Sequence, residues 1–198
     1  MDRTGGFALK VATVGSQTGT GRPGSTRRTS LYATSMRQRS AVLGSVVFFV
    51  VAPGVVAGLV PWLLTGWHVN ASPWPLRALG LVLLVAGTAF LVTAFVRFVV
   101  EGFGTPAPVA PPTRLVIGGI YRYVRNPMYL AVLACIAGQA LLLGRPVLWI
   151  DALVTGVAVV SFVRLYEEPN LAEQFGDEYQ AYRRAVPGWW PRLRPWRP

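Results

Sequence analysis

The stretch LRALGLVLLVAGTAFLVTAFVRFVV, residues 76–100, decides the fold, because no charge interrupts it between Arg77 and Arg97. A helix needs about 20 apolar residues to cross the hydrocarbon core, and roughly 17–25 are tolerated. Three further apolar spans flank this one: Ala41–Leu64 before it, Pro127–Leu143 and Val147–Tyr166 after it. Pro127–Leu143 is at the lower limit of length. The pattern predicts an all-α integral membrane protein with about four transmembrane helices. Composition points the same way. Only 14% of the 198 residues are charged and 53% are hydrophobic, where soluble domains carry about 25% charge. The mean hydropathy is +0.44.

Charge placement orients the spans. Of 19 Lys and Arg, seven precede the first span: Arg3, Lys10, Arg22, Arg27, Arg28, Arg37 and Arg39. Arg97, Arg114, Arg122 and Arg125 lie between the second and third. Arg164, Arg183, Arg184, Arg192, Arg194 and Arg197 close or follow the fourth. Only Arg77 and Arg145 fall on the opposite side. Seventeen against two is a strong positive-inside bias and predicts cytoplasmic termini in a multi-pass cell-membrane protein. Trp62, Trp67, Trp74 and Trp149 then gather at the outer interface. The net charge of +11 faces lipid headgroups, so membrane lipids are expected partners and nucleic acid is not. A single Cys and a single His exclude an internal disulfide framework and a Cys- or His-rich metal site.

Three regions follow. Residues 1–40 are rich in Ser, Thr, Gly and Arg and read as a disordered basic tail; Met36-Arg37-Gln38-Arg39 looks like a more natural start. Residues 41–100 form a transmembrane hairpin closed by the aromatic link Thr65–Pro75. Pro53 and Pro61 should kink or end its first span, and Gly54-x-x-x-Gly58 offers close helix packing. Residues 101–198 hold the polar material, the last two spans and a C-terminal tail. Pro106, Pro108, Pro111 and Pro112 forbid a regular helix in the polar stretch Glu101–Asn126. Beyond Pro169, Leu171, Phe175, Tyr179 and Tyr182 recur at helical spacing, which predicts a cytoplasmic amphipathic helix lying on the membrane or packing on the bundle. Gly176 is its expected break.

Glu167-Glu168-Pro169 ends the fourth span. Ionisable groups at membrane depth are costly and mark functional sites, and the proline is expected to push Glu168 out of helical geometry. An ordinary helix end paired to arginines is the alternative, opposed by the macrodipole. The segment Tyr121-Arg122-Tyr123-Val124-Arg125-Asn126-Pro127-Met128-Tyr129 opens the third span. Asn126 suits its cap and Pro127 its first turn. Arg122 and Arg125 among aromatics can bind an anion and stack a ring, or simply anchor topology. Gly118-Gly119 lets backbone approach a ligand closely. Asp151 can pair with Arg145 across the outer turn.

Several of these motifs occur together, in order. Gly104-Thr-Pro-Ala-Pro, Gly118-Gly-Ile-Tyr-Arg-Tyr-Val-Arg-Asn-Pro-Met-Tyr129, Tyr166-Glu-Glu-Pro-x-Leu171, Phe175-Gly176, Tyr179-x-x-Tyr182 and Val186-Pro187 resemble the isoprenylcysteine carboxyl methyltransferase and phospholipid methyltransferase superfamily over about residues 97–195. The resemblance implies an integral membrane enzyme using S-adenosylmethionine at the cytoplasmic ends of the last two spans. The implied catalytic residues are Arg125, Glu167 and Glu168. The implied cofactor contacts are Gly118, Gly119, Tyr121, Arg122, Arg125, Asn126, Pro127, Tyr129, Glu167, Glu168, Tyr179 and Tyr182, with no metal. Asn126 replaces the His that carboxyl methyltransferases carry before Pro, as in phospholipid methyltransferases, and Gly188 replaces the Arg often found after Val-Pro. The expected acceptor is a lipidic or hydrophobic small molecule, or a prenylated group. A phospholipid N-methyltransferase, a sterol-type reductase using NADPH, and a non-catalytic lipid-binding protein are the alternatives.

Overall fold

A computed structural model describes residues 51–102 and 114–197. The expected disordered tail, the start of the first span and the proline-rich stretch ending at Pro112 lie outside them. Every regular element among the described residues is helical. In order they are α1 (Val51–Thr65), α2 (Trp74–Gly102), a short 3-10 turn (Gly119–Arg122), α3 (Pro127–Leu143), α4 (Val147–Phe162) and α5 (Glu168–Ala185). Helix α2 and the continuous helix Val147–Ala185, which joins α4 to α5, are long and apolar enough to cross a membrane; α1 and α3 are shorter apolar helices. The apolar part of the long helix ends at Tyr166, and polar residues dominate from Glu167 onward.

Pro61 does not end its helix, and Pro169 does not push Glu168 out of helical geometry, which corrects the expectation for Glu168. A proline inside a helix lacks a donor and its ring crowds the carbonyl four residues back. Both prolines are accommodated by the same device. A π-helical turn covers Val55–Leu59 just before Pro61, and another covers Val163–Glu167 just before Pro169. The extra residue per turn relieves the crowding while the chain stays hydrogen-bonded, with the Val60 N–H reaching the Val55 oxygen and the Glu168 N–H reaching that of Val163. Glu168 is therefore helical, at φ −61 and ψ −42, and is not displaced into extended geometry.

Helices α2 and α3 approach most closely at a pair of glycines. A methyl group on Gly80 would lie 2.5 Å from the Leu142 nitrogen and 2.7 Å from the Gly138 oxygen; one on Gly138 would lie 2.8 Å from the Gly80 oxygen and the Leu84 nitrogen. Backbone thus packs on backbone, the arrangement that small residues permit between membrane helices. The expected Gly54-x-x-x-Gly58 contact is absent, since nothing among the described residues comes within 4 Å of a methyl group at either position. Val132, Ile136, Ala140 and Leu143 line the buried face of α3 and form the core with Leu91 and Leu148.

At the link between α1 and α2, Arg145 Nη1 donates to Asn70 Oδ1 at 3.1 Å, and Arg77 Nη2 donates to the Asn70 backbone oxygen at 3.0 Å. The expected Asp151–Arg145 pair does not form, because the Arg145 side chain is drawn to the link rather than along α4. Gly176 does break α5, with φ +50 and ψ −124, a conformation open to glycine. Past the break, Tyr179, Tyr182 and Val186 are buried against Leu115, Ile117, Leu171 and Trp196.

Candidate functional site

The π turn Val163–Glu167 and the break at Gly176 bring polar residues together against a cavity of about 620 Å³. Its polar end is lined by Arg125, Asn126, Tyr129, Glu167, Glu168, Asn170, Glu173, Tyr179 and Tyr182. Its apolar lining comes from α1 (Ala52, Pro53, Val56), the α4 side (Val159, Phe162, Val163), and Leu91, Phe98 and Val132.

Arg125 is the centre of the polar end. Its Nη1 donates to Glu168 Oε1 at 2.7 Å and to the Tyr179 hydroxyl oxygen at 3.0 Å, while Nε donates to the Val186 carbonyl at 2.9 Å. Arg183 Nη2 meets Glu168 Oε2 at 3.1 Å from beyond the Gly176 break. Glu168 is thus held by two guanidiniums. Glu167, one residue earlier, accepts the Tyr129 hydroxyl proton at 2.6 Å. Burial pushes its carboxyl above the ordinary range; the Tyr129 hydrogen bond pulls against this, and the Glu168 charge adds to it. Burial also raises the Tyr121, Tyr179 and Tyr182 hydroxyls, so all three stay protonated at neutral pH.

Asn126 stands at the α3 N-cap position, yet its side chain makes no capping bond. This corrects the expected cap. Its backbone, at φ −115 and ψ 54, is not in the usual extended cap geometry, and Nδ2 is buried with no acceptor among the described residues. A buried donor of that kind is costly unless something supplies an acceptor. Pro127 takes the first-turn position as expected.

The C-terminal tail completes the polar end, and sequence reasoning did not foresee this. The Arg125 and Asn126 N–H groups donate to the carbonyls of Pro187 and Gly188 at 2.9 and 3.3 Å, and the Arg192 and Trp196 N–H groups donate to those of Tyr123 and Arg122 at 3.0 Å each. Pro187, Pro191 and Pro195 keep this tail from coiling, so its polar groups remain available for pairing. Trp189 sits 6.5 Å from the Tyr129 ring.

Of the expected site residues, Tyr121, Arg125, Asn126, Pro127, Tyr129, Glu167, Glu168, Tyr179 and Tyr182 line the cavity; Gly118, Gly119 and Arg122 do not. Gly118 N–H donates to Glu101 Oε2 at 2.8 Å, and any side chain there would strike that carboxylate. Its close approach is to α2. Arg122 Nε donates to the Trp196 carbonyl, which clasps the tail. The Tyr182 hydroxyl donates to the Tyr121 carbonyl at 2.7 Å, tying α5 to this turn.

The profile of the phospholipid methyltransferase family matches residues 75–178. The chain belongs to this family. The match takes in Arg125, Asn126, Tyr129, Glu167 and Glu168, and stops short of Tyr179, Tyr182 and the tail. An 82-residue stretch is 35% identical to the protein-S-isoprenylcysteine O-methyltransferase of Schizosaccharomyces pombe, covering 40% of this chain and 34% of that protein. The chain thus spans about a third of that relative's length. No solved structure matches it. Membership in this membrane methyltransferase family agrees with the apolar helices, and the polar end of the cavity falls in the part of the chain that the family shares or directly adjoins.

Proposed function

We propose that the chain is an integral membrane, S-adenosylmethionine-dependent methyltransferase acting on a lipidic or hydrophobic acceptor, similar to the isoprenylcysteine carboxyl methyltransferases. The observation that carries this reading is one cavity that joins the hydrogen-bonded cluster of Arg125, Glu168, Tyr179, Glu167 and Tyr129 to an extensive apolar lining. Its volume lies within the roughly 300–1,000 Å³ of small-molecule sites. The residues present suit the cofactor. Arg125 can meet its carboxylate, Glu167 or Glu168 its ammonium or ribose hydroxyls, and the orphan Nδ2 of Asn126 offers a donor to an oxygen. Tyr121, Tyr129, Tyr179 and Tyr182 line the space for a planar ring. Gly118, Gly119 and Arg122 act one layer out, holding the Tyr121 turn and the tail.

S-adenosylmethionine, when bound, supplies an electrophilic methyl group on a sulfonium. The chain's own part is to align the acceptor and exclude water, which accounts for most of the acceleration of an in-line displacement. A carboxylate acceptor needs no proton removed at neutral pH. An ammonium acceptor does, and Glu167, whose carboxyl is raised by burial, suits that role. This supports phospholipid amines as the second reading. Topologically, the seventeen-to-two basic bias supports four crossings with both termini and α5 in the cytoplasm.

Calorimetric titration of the purified protein with S-adenosylmethionine and with NADPH tests the reading. Binding of the first alone is expected; binding of NADPH alone would favour a reductase, and binding of neither a lipid carrier. Lipid extracts of cells with and without an active copy, grown with methyl-labelled methionine, then identify the acceptor class.

A further inference from the structure

Gln139 is the buried polar residue in the middle of α3, and nothing in the proposed chemistry uses it. Its Nε2 donates to the Ala57 carbonyl of α1 at 2.6 Å, and more weakly to the Cys135 carbonyl at 3.4 Å. Ala57 lies four residues before Pro61, so the N–H that would serve its carbonyl in α-helical register is the one proline lacks. Gln139 supplies a donor from the neighbouring helix. Away from water, a carbonyl left without a donor costs free energy, so this bond fixes where α1 docks.

The location matters because Ala52, Pro53 and Val56 form one wall of the cavity's apolar arm, and Ala57 directly follows them. The π turn Val55–Leu59 has no buried residue, and a methyl group on Gly54 or Gly58 would meet nothing within 4 Å among the described residues. Val56 and Ala57 also pack on the apolar core around Ile136 and Leu148, but apolar contact has no direction, so the Gln139 hydrogen bond is what fixes the spacing. We infer that Gln139 is a positioning residue: through the Ala57 carbonyl it sets the distance of α1 from α3 and so the width of the apolar arm, which determines the acceptor chains that fit. The selectivity part rests on the proposed reading of that arm as the acceptor's path. The positional part does not.

The test uses the full chain in nanodiscs, in a Cys135→Ala background, with spin labels at the exposed positions Leu63 and Val82. Dansyl-labelled octyl, dodecyl and hexadecyl chains serve as hydrophobic probes. Gln139→Leu is expected to broaden the distance distribution and to change the ratio of probe affinities about tenfold, the scale of one lost hydrogen bond. Binding of S-adenosylmethionine should not change. Gln139→Asn retains the amide but is one methylene too short, and should show the same displacement should the Leu variant fold poorly. Adding Pro61→Ala to Gln139→Leu restores a helical donor to Ala57; thermal stability should recover while the broad distribution persists. A wild-type distribution and probe profile in both Gln139 variants would overturn the inference. So would recovery of the distribution with Pro61→Ala, since Gln139 would then only satisfy a carbonyl. Loss of cofactor binding in the parent chain would instead count against the proposed function and leave the distance result standing.

Discussion

The Tyr129 hydroxyl donates to Glu167 Oε1 across 2.6 Å, joining the first turn of α3 to the π turn that Pro169 requires. The bond favours the ionised carboxylate while burial opposes it, and burial prevails. Glu167 is therefore an acid held at a cost, which suits a group that meets a cation.

If the Glu167 carboxylate binds the cofactor's ammonium, affinity for S-adenosylmethionine should strengthen as pH rises through the raised carboxyl pKa. Tyr129→Phe removes a bond that lowers that pKa and should move the midpoint further up. Glu167→Gln should abolish the inflection and weaken binding roughly 10- to 150-fold, as expected for a lost hydrogen bond to a charged group. Titrations across the acid range check all three, and a pH-independent wild-type affinity would rule out this contact.

Stability should respond in the opposite sense. A carboxyl whose folded pKa is raised above its ordinary 4.5 leaves the fold most stable below that value. Stability is then lost as pH rises through the raised pKa. Glu167→Gln should remove this loss, so the variant should melt higher than wild type at neutral pH while binding cofactor worse. An acid that only braced the helix end would give a lower melting temperature and normal binding in the folded fraction.

Arg125 donates to Glu168, Tyr179 and Val186 together, a fork that lysine cannot reproduce. Arg125→Lys should keep the charge and most of the fold, because Glu168 retains Arg183, yet weaken cofactor binding by at least about tenfold, one lost charged hydrogen bond. Arg145→Ala, on the turn between α3 and α4, should leave affinity unchanged. Equal affinity in wild type and Arg125→Lys would remove Arg125 from the cofactor site.

Much of this arrangement was legible in the chain. The bounds of α3, Pro127–Leu143, match the sequence reading because Pro127 and Gly144 punctuate it. The acidic pair and the Arg125–Tyr129 element stood out because charge is rare in so apolar a sequence. Their geometry was not legible. Pre-proline preference predicted an extended Glu168, whereas a π turn absorbed the proline and kept the helix intact. Asn126 read as a cap, but the strand-like pairing of Arg125 and Asn126 with Pro187 and Gly188 turns it elsewhere. Such pairings are long-range and leave no local period. Gln139 and the Gly80–Gly138 contact were invisible for the same reason: each acquires meaning only from the helix opposite.

That glycine contact predicts a contrast between two pairs of substitutions. Gly80→Ala and Gly138→Ala each drive a methyl group into backbone atoms within 2.8 Å, and backbone cannot move aside as a side-chain tip can. Each should cost about 1–3 kcal/mol, the usual penalty of overpacking, seen as a lower melting temperature in detergent. Gly54→Ala and Gly58→Ala meet open space among the described residues and should leave melting within error or raise it slightly through helix propensity. Indistinguishable melting of all four variants would show that α2 and α3 do not pack as described.

The proposed orientation is tested by where a thiol reagent that cannot cross the membrane reacts. The positions must tolerate cysteine. Gly66 is unsuitable, since a side chain there would crowd His68 at a positive φ, and at Gly188 it would press on Arg125 and Asn126. Val69, on the outer link, and Leu193, on the tail, are both well exposed. In a Cys135→Ala background, Val69→Cys should label in intact cells, and Leu193→Cys only after the membrane is opened. This follows from placing Arg77 and Arg145 outside and the other basic residues inside. External labelling of Leu193→Cys would reverse the orientation and put the Arg125–Glu168 end of the cavity on the face away from cytoplasmic S-adenosylmethionine.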